Sequence, residues 1–315
     1  MHVSLSARCR ARRWRLAISL LVGLASLPLR SQERPIFRAE ARLVVVYATV
    51  KNARGELITT LEQGAFTVYE NGKPQPISLF RRDDVPVSLG ILIDNSGSMR
   101  SKRAKVEAAA VAFVRASNPN DEVFVLNFAD KSHLDVPFTD DLRVLEAGIA
   151  RIDSIGGTAM RDAIDVAEDY LDRHATRDRK ALLIITDGND NVSETPIDRI
   201  RRRAERSAIT IHAIGLLNDA DSSKATQARH ELRQLTEATG GRAYYPARLD
   251  EITGVALDLA RQIRNQYTIA FTALNPALDG SYRKLHVVAK GTEALTVHTR
   301  PGYRAASNGP MPDGR

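Results

Sequence analysis

Between residues 86 and 264, strand-like segments that are apolar along their whole length alternate with segments of helical spacing. Residues 87–93, 122–128, 180–186 and 208–216 are the clearest of the strand-like segments. A strand that is apolar on both faces is typical of a parallel sheet covered by helices on both sides. The pattern predicts an α/β domain over residues 86–264, with a doubly wound, mostly parallel, Rossmann-like sheet.

Shorter β patterns flank this region on both sides, at residues 36–84 and 265–304. Each flank has only a few strands with one apolar face, and this number of strands is too small to bury a hydrophobic core without a partner. The simplest solution is that the two flanks pair with each other. The α/β domain would then be an insertion in a small discontinuous β-sandwich. Two separate β appendages remain the alternative.

The N-terminal segment, residues 1–31, has the composition of a signal peptide. A basic stretch precedes an apolar run at residues 16–25, which is shorter than the ~20 residues of a membrane span. We therefore expect an exported protein, periplasmic or extracellular, with no membrane span after cleavage. An uncleaved N-terminal anchor is the alternative.

Charge and cysteine content exclude several classes of function. The net formal charge is +7, and six arginines in residues 1–31 account for all but one of these charges. The remaining body is nearly neutral, so a nucleic-acid partner is not expected. Cys9 is the only cysteine and lies in the predicted signal peptide, so disulfides and thiolate chemistry are excluded from the mature chain. Residues 305–315 carry almost no apolar side chains and are predicted to be a disordered tail.

Three polar motifs lie at the ends of predicted strands or at the start of a predicted helix. Asp94, Ser96 and Ser98 follow the first apolar strand, Thr158 follows two glycines before a helix, and Asp187 follows the strand at 180–186. Ligands of parallel α/β sheets bind beyond the carboxyl ends of the strands, where these motifs can converge. Two carboxylates and three hydroxyls are hard oxygen donors, which suit Mg²⁺, Mn²⁺ or Ca²⁺.

Together the motifs Asp-x-Ser-x-Ser, Gly-Gly-Thr and Thr-Asp-Gly resemble the metal-ion-dependent adhesion site of the von Willebrand factor type A domain family. All five site positions match, and the resemblance covers about residues 86–264. It implies that Ser96, Ser98 and Thr158 contact the metal directly, and that Asp94 and Asp187 do so directly or through water. The segments 66–72 and 300–303 resemble those that flank the domain in a bacterial exported subset of the family.

The resemblance implies a non-enzymatic, metal-dependent protein-binding or adhesion module, whose partner offers a Glu or Asp carboxylate to the metal. Two alternatives stay open: a metal-dependent hydrolase, and a structural envelope-assembly module that uses the metal for stability. Nucleophile-elbow, zinc-protease and nucleotide-binding motifs are absent from the sequence. A site for catalysis is therefore the weaker expectation.

Several features near the site carry weaker expectations. Asp162 and Asp165 are assigned to a solvated helix face, and Asp190 to the rim of the site. Residues 218–229 are predicted to form a long polar loop that rims the site and helps to choose the partner. The basic segment 199–206 is interpreted as a solvated helix face. The last helix, 250–264, is expected to couple the metal site to the sandwich.

Overall fold

The structure is a computed structural model that describes residues 43–150, 155–188, 190–217 and 222–307. The predicted signal peptide and most of the predicted tail lie outside the described residues. Within the described part of the chain, none of the helices combines the length and the apolar composition needed to cross a membrane.

The strands and helices follow one another in an order that separates a central α/β region from β structure at both ends. The strands are β1 (Leu43–Asn52), β2 (Phe66–Glu70), β3 (Lys73–Gln75), β4 (Ile77–Arg81), β5 (Val87–Asp94), β6 (Glu122–Phe128), β7 (Ser132–Thr139), β8 (Arg179–Thr186), β9 (Ile209–Gly215), β10 (Ala243–Tyr244), β11 (Tyr267–Thr272), β12 (Tyr282–Ala289), β13 (Leu295–His298) and β14 (Gly302–Arg304). The helices are α1 (Arg103–Ala116), α2 (Leu142–Ile149), α3 (Met160–His174), α4 (Ile197–Arg206), α5 (Ser222–Thr239) and α6 (Ile252–Arg264).

The central sheet has the strand order β10-β9-β8-β5-β6-β7. All neighbouring pairs are parallel except β6 and β7. Successive residues of β8 face opposite sides: Leu183 packs with α1, α2 and α6, whereas Leu182 and Ile184 pack with α3, α4 and α5. The predicted fold class, a doubly wound and mostly parallel α/β sheet, is confirmed.

Both terminal β segments contribute to two four-stranded sheets, with the orders β13-β1-β11-β4 and β14-β12-β2-β3. In the first sheet, Val46 of β1 lies opposite Ile269 of β11, and in the second, Val68 of β2 lies opposite Val287 of β12. Side chains from both sheets share one buried cluster that includes these residues and Phe66. The two flanks of the α/β domain therefore form one β-sandwich.

Two segments differ from the sequence predictions. Residues 222–229 belong to α5, so the described part of the predicted polar loop is helix, and residues 218–221 lie outside the described residues. Ala228, Leu232 and Leu235 are buried and recur at helical spacing, which explains the helix. Ala305 is also buried, and its amide donates to Ser281 O at 2.9 Å, so this end of the predicted tail is ordered.

Candidate metal site

The site lies at the carboxyl edge of the central sheet, where β5 is flanked by β6 on one side and β8 on the other. The chain order reverses at β5, which creates a crevice between neighbouring strand ends. Asp94 is the last residue of β5, and Asp187 directly follows β8. Since Ile93 pairs with Ile185, the two aspartates leave adjacent strands at almost the same level.

Backbone hydrogen bonds bring the third motif to the first. After β5 the chain forms a short 3₁₀ turn, Gly97–Ser101. The Gly97 amide donates to Gly156 O at 3.1 Å, and the Ile155 amide donates to Asn95 O at 3.0 Å. Gly156 has φ +94°, a conformation that favours glycine, and this turn places Thr158 beside the β5 motif.

Thr158 is held in place from the β8 side. Its amide donates to Asn191 Oδ1 at 2.9 Å, and the Asn191 amide donates back to Thr158 O at 3.1 Å. A Cβ atom placed on Gly188 would lie 3.8 Å from Thr158 Oγ1, so this hydroxyl lies next to the residue that follows Asp187. The Gly157 amide donates to Asp130 Oδ1 at 2.7 Å, which braces the same turn.

The side-chain oxygens of the first and last motifs are in direct contact. Ser98 Oγ donates to Asp187 Oδ1 at 2.7 Å and lies 3.1 Å from Ser96 Oγ. Ligand oxygens of an octahedral ion with metal–oxygen distances of about 2.1 Å are about 3 Å apart. The two distances are ordinary hydrogen-bond lengths, and they also match the separation of adjacent ligand oxygens around a small divalent ion.

Asp94 lies beneath this cluster and is 1% exposed. Thr186 Oγ1 donates to its Oδ2 at 2.5 Å, and the Ser96 amide donates to its Oδ1 at 2.9 Å. Burial raises the pKa of Asp94 to about 6, although both hydrogen bonds lower it. A nearby cation would favour the ionised carboxylate that this burial disfavours, so the residue is suited to a metal site.

Lys102 reaches the same cluster from the end of the turn after β5. Its Nζ lies 2.6 Å from Asp187 Oδ2, and the two side chains are only 7% and 1% exposed. Asp187 therefore has one oxygen on Ser98 and the other on a buried ammonium.

The remaining acidic residues hold the surrounding loops. Asp190 was expected at the rim, but its side chain is fully buried and accepts hydrogen bonds from Arg161 and Ser193 at 2.6–3.1 Å. Asp162 accepts from the amides of Glu194 and Thr195 at 3.1 and 2.9 Å. Asp165 contacts Arg203 of α4 at 2.8 Å. These contacts fix the 190–195 loop and α4 against α3, so the three aspartates position structure around the site.

The donor set fits a hard cation. It combines two carboxylates with three hydroxyls, all of them oxygen donors. Among the described residues, no group of three or more His, Cys, Asp or Glu side chains is placed to hold a metal ion. The sequence motifs pointed to the five proposed ligands. They included Thr186 in the Thr-Asp-Gly motif without assigning it a role, and they gave no indication of Lys102 or Asn191, because these residues act through contacts between segments far apart in the chain.

Comparison with known proteins gives a family match for part of the chain and a similar fold. Residues 89–189 match the family model described as von Willebrand factor type A domain. No curated protein sequence matches the chain. A solved structure of a von Willebrand factor type A protein from Catenulispora acidiphila is similar with a TM-score of 0.51 and 15% identity, over 84% of this chain and 73% of that chain.

Two further solved structures show weaker likeness. An aerotolerance-related membrane protein from Bacteroides fragilis is 20% identical, with a TM-score of 0.46 over 56% of this chain and 98% of that chain. Proximal thread matrix protein 1 from the mussel byssus, described with a zinc-occupied MIDAS motif, is 17% identical, with a TM-score of 0.48 over 62% of this chain and 50% of that chain.

Proposed function

Because residues 89–189 form a von Willebrand factor type A domain, we propose that this chain is an exported protein that captures a partner protein through a bound divalent cation. The cation is held by Asp94, Ser96, Ser98, Thr158 and Asp187. The partner supplies a Glu or Asp carboxylate. The domain occupies residues 86–264, within a sandwich formed by 36–84 and 265–304, and residues 1–31 direct export to the periplasm or the extracellular space.

The observation that carries this proposal is that Ser98 Oγ contacts both Ser96 Oγ and Asp187 Oδ1, beside the buried Asp94. Two carboxylates balance the charge of a divalent ion, and hydroxyls add coordination without adding charge. A metal bound in this way stays electrophilic and accepts an oxygen from outside the protein. Hard oxygen donors of this kind suit Mg²⁺, Mn²⁺ and Ca²⁺.

Binding is better supported than hydrolysis. A metal-dependent hydrolase needs a general base beside the metal-activated water. Asp190, the candidate base outside the ligand set, is fully buried and already accepts hydrogen bonds from Arg161 and Ser193. Its carboxylate therefore holds the loop and does not face a substrate.

Metal binding is tested by isothermal titration calorimetry with MgCl₂ and MnCl₂ on the wild-type chain, Ser98→Ala and Asp187→Ala. We expect saturable binding by wild type and a loss of at least about tenfold in affinity for both variants. Ser101→Ala is the matched control, because Ser101 is exposed at the end of the same turn. Equal binding by all four proteins would show that the metal lies elsewhere.

Partner capture is tested by pull-down from the native envelope fraction with and without chelator. We expect one or more proteins to be retained by wild type with Mg²⁺ and lost with chelator or with Asp187→Ala. Retention that survives both changes would support the structural-module alternative, and turnover of envelope substrates with Mn²⁺ would support the hydrolase.

A further inference from the structure

Lys102 places a buried positive charge in contact with a proposed metal ligand. Its Nζ lies 2.6 Å from Asp187 Oδ2, and its side chain is 7% exposed. A cation-binding site gains no affinity from a second cation on one of its ligand carboxylates, because the two positive charges repel each other in a poorly solvated environment. The motif that supplies the ligands does not account for this lysine.

The backbone fixes the lysine in this position. The Lys102 amide donates to Met99 O at 2.9 Å, which closes the 3₁₀ turn after the Ser96 and Ser98 ligands. Met99 is 2% exposed and anchors this turn in the core. Lys102 O then accepts from the Val106 amide at 3.1 Å, which begins α1. Backbone hydrogen bonds on both sides therefore fix Lys102 at the junction between the ligand turn and α1.

Lys102 changes the net charge of the proposed metal site. Asp94 and Asp187 alone would bring a divalent ion to neutrality. With Lys102 included, the protein groups carry a net charge of −1, and the metal-loaded site carries a net charge of +1. An excess positive charge weakens retention of the metal alone and strengthens binding of an anionic ligand to the loaded site.

We propose that Lys102 makes metal binding and carboxylate binding mutually dependent. The metal is held weakly until a partner carboxylate completes the shell, and the loaded site selects anionic over neutral oxygen ligands. By thermodynamic linkage, the factor by which a carboxylate raises metal affinity equals the factor by which metal raises carboxylate affinity. This inference rests on the proposed metal site and adds a selectivity device to it.

The test compares wild type with Lys102→Met, which keeps an apolar stem of similar length and removes the charge. Mg²⁺ affinity is measured by calorimetry in chloride buffer and again with acetate as a carboxylate probe. We expect Lys102→Met to bind Mg²⁺ about tenfold more tightly than wild type in chloride. We also expect acetate to raise Mg²⁺ affinity several-fold in wild type and little in the variant.

Two controls isolate the charge at this position. Lys102→Arg keeps the charge and should behave as wild type. Lys105→Met removes an exposed lysine in the first turn of α1 and should also leave both affinities unchanged. If Lys102→Met does not fold, as judged by its circular dichroism and melting temperature, Lys102→Gln is the second neutral variant and retains a hydrogen-bond donor for Asp187.

The outcomes separate this inference from the proposed function. Equal or weaker Mg²⁺ binding by the neutral variant, with wild type still binding, would overturn the role of Lys102 and leave the metal site standing. An acetate effect of the same size in both proteins would do the same. Absence of Mg²⁺ binding in every folded protein would overturn the proposed metal site and the inference with it.

Discussion

Glu168 is buried between α3 and α4, and its side chain is 0% exposed. Its nearest cation is Arg203, whose Nε lies 2.9 Å from Glu168 Oε2. Arg203 also contacts Asp165, Asp169 and Asp172, so one guanidinium serves several carboxylates. Burial raises the pKa of Glu168 to about 8; Arg203 lowers it, and the neighbouring aspartates add to the rise.

A raised carboxyl pKa in the folded state makes stability depend on pH in a defined direction. The folded protein holds the Glu168 proton up to about pH 8, whereas the unfolded chain releases it near the ordinary value of 4.5. The stabilisation that Glu168 contributes is fully present below its pKa in the unfolded chain, and it is lost as pH rises through its folded-state pKa of about 8. We expect the free energy of unfolding to fall by roughly 2–4 kcal/mol across this window.

Glu168→Gln should remove this dependence, because the amide is neutral at every pH. Urea denaturation followed by circular dichroism at several pH values measures the effect. Glu237→Gln is the control, since Glu237 is exposed on α5 and its replacement should leave the pH profile unchanged. Identical profiles for wild type and Glu168→Gln would show that Glu168 is ionised throughout.

At the residue scale, the sequence predicts which side chains can act as ligands but not what surrounds them. Asp94, Ser96 and Ser98 lie within one turn of the chain, so their motif is visible in a single segment. Lys102 contacts Asp187 across 85 residues, and Thr186 contacts Asp94 across 92. No local pattern encodes such contacts, because they depend on β5 and β8 being neighbours in the sheet.

Two glycines in regular elements differ in the space around them. A Cβ atom on Gly254 in α6 would have no neighbour within 4 Å, whereas one on Gly90 in β5 would lie 2.3 Å from the Phe124 ring. Gly254→Ala should stabilise the protein by about 0.5–1 kcal/mol, because alanine favours helix and narrows the unfolded ensemble. Gly90→Ala should destabilise it by about 1–3 kcal/mol through overpacking.

Thermal unfolding of the two variants and wild type tests both predictions, since the melting temperature should rise for Gly254→Ala and fall for Gly90→Ala. Each variant adds one methyl group, so they serve as controls for each other. A lower melting temperature for Gly254→Ala would indicate that α6 needs the flexibility of glycine at this position.

Arg300, from the turn between β13 and β14, closes the C-terminal end of α4. Its guanidinium donates to Ala204 O, Glu205 O and Ser207 O at 3.3, 3.0 and 2.9 Å. These are carbonyls that a helix leaves without a partner at its end. The sandwich thus supplies the cap of a helix in the α/β domain.

Arg300→Ala should destabilise the protein by about 1–3 kcal/mol, since these buried and part-buried carbonyls lose the donor that Arg300 supplies. Hydrogen exchange should show faster exchange in the last turn of α4 than in wild type. Arg206→Ala is the control, because Arg206 is exposed at the end of the same helix. Unchanged exchange in α4 after Arg300→Ala would mean that another group caps the helix.

The sequence predicts β5 and β8 well, because both strands are buried on both faces and are apolar along their length. It predicts the start of α5 poorly, because this part of the helix is polar. The start of α5 carries Ser, Lys, Thr and Gln on exposed positions, and from residue 223 onward, where burial is described, Ala228 is the first buried residue. A single small apolar residue gives little periodicity, so the segment resembled a loop. β3 and β14 are three-residue strands and were too short to give a pattern.

At the scale of the whole molecule, each terminal β segment is too small to form a hydrophobic core of its own, and this was enough to predict that the two segments pair. It could not predict how their strands are shared. β1 pairs with both β11 and β13, whereas β2 pairs with β12 in the other sheet. This partition depends on which faces of the strands meet around Phe66 and Tyr267, and alternation along one strand does not specify its partner.

The sandwich and the α/β domain meet at a buried polar junction below the central sheet. Arg179, the first residue of β8, donates to Gln266, and Gln266 Nε2 donates to Thr49 Oγ1 of β1 at 3.2 Å. Tyr47 lies under the same guanidinium, with the ring centroid 5.0 Å away. Gln266 also connects α6 to β11, so a shift of α6 toward or away from the metal edge would strain this junction.

Replacing one partner of this junction should lower the free energy of unfolding more than replacing both partners. Gln266→Leu leaves a buried guanidinium without its amide acceptor, and we expect a loss of about 2–4 kcal/mol. The double variant Arg179→Met with Gln266→Leu removes the buried charge as well and should recover part of that loss. A double-mutant cycle by urea denaturation measures the coupling. If the losses in the free energy of unfolding are additive, the two side chains act independently. The expected coupling between the last helix and the sandwich must then pass through another contact, such as the 2.6 Å ion pair between Arg264 and Asp84.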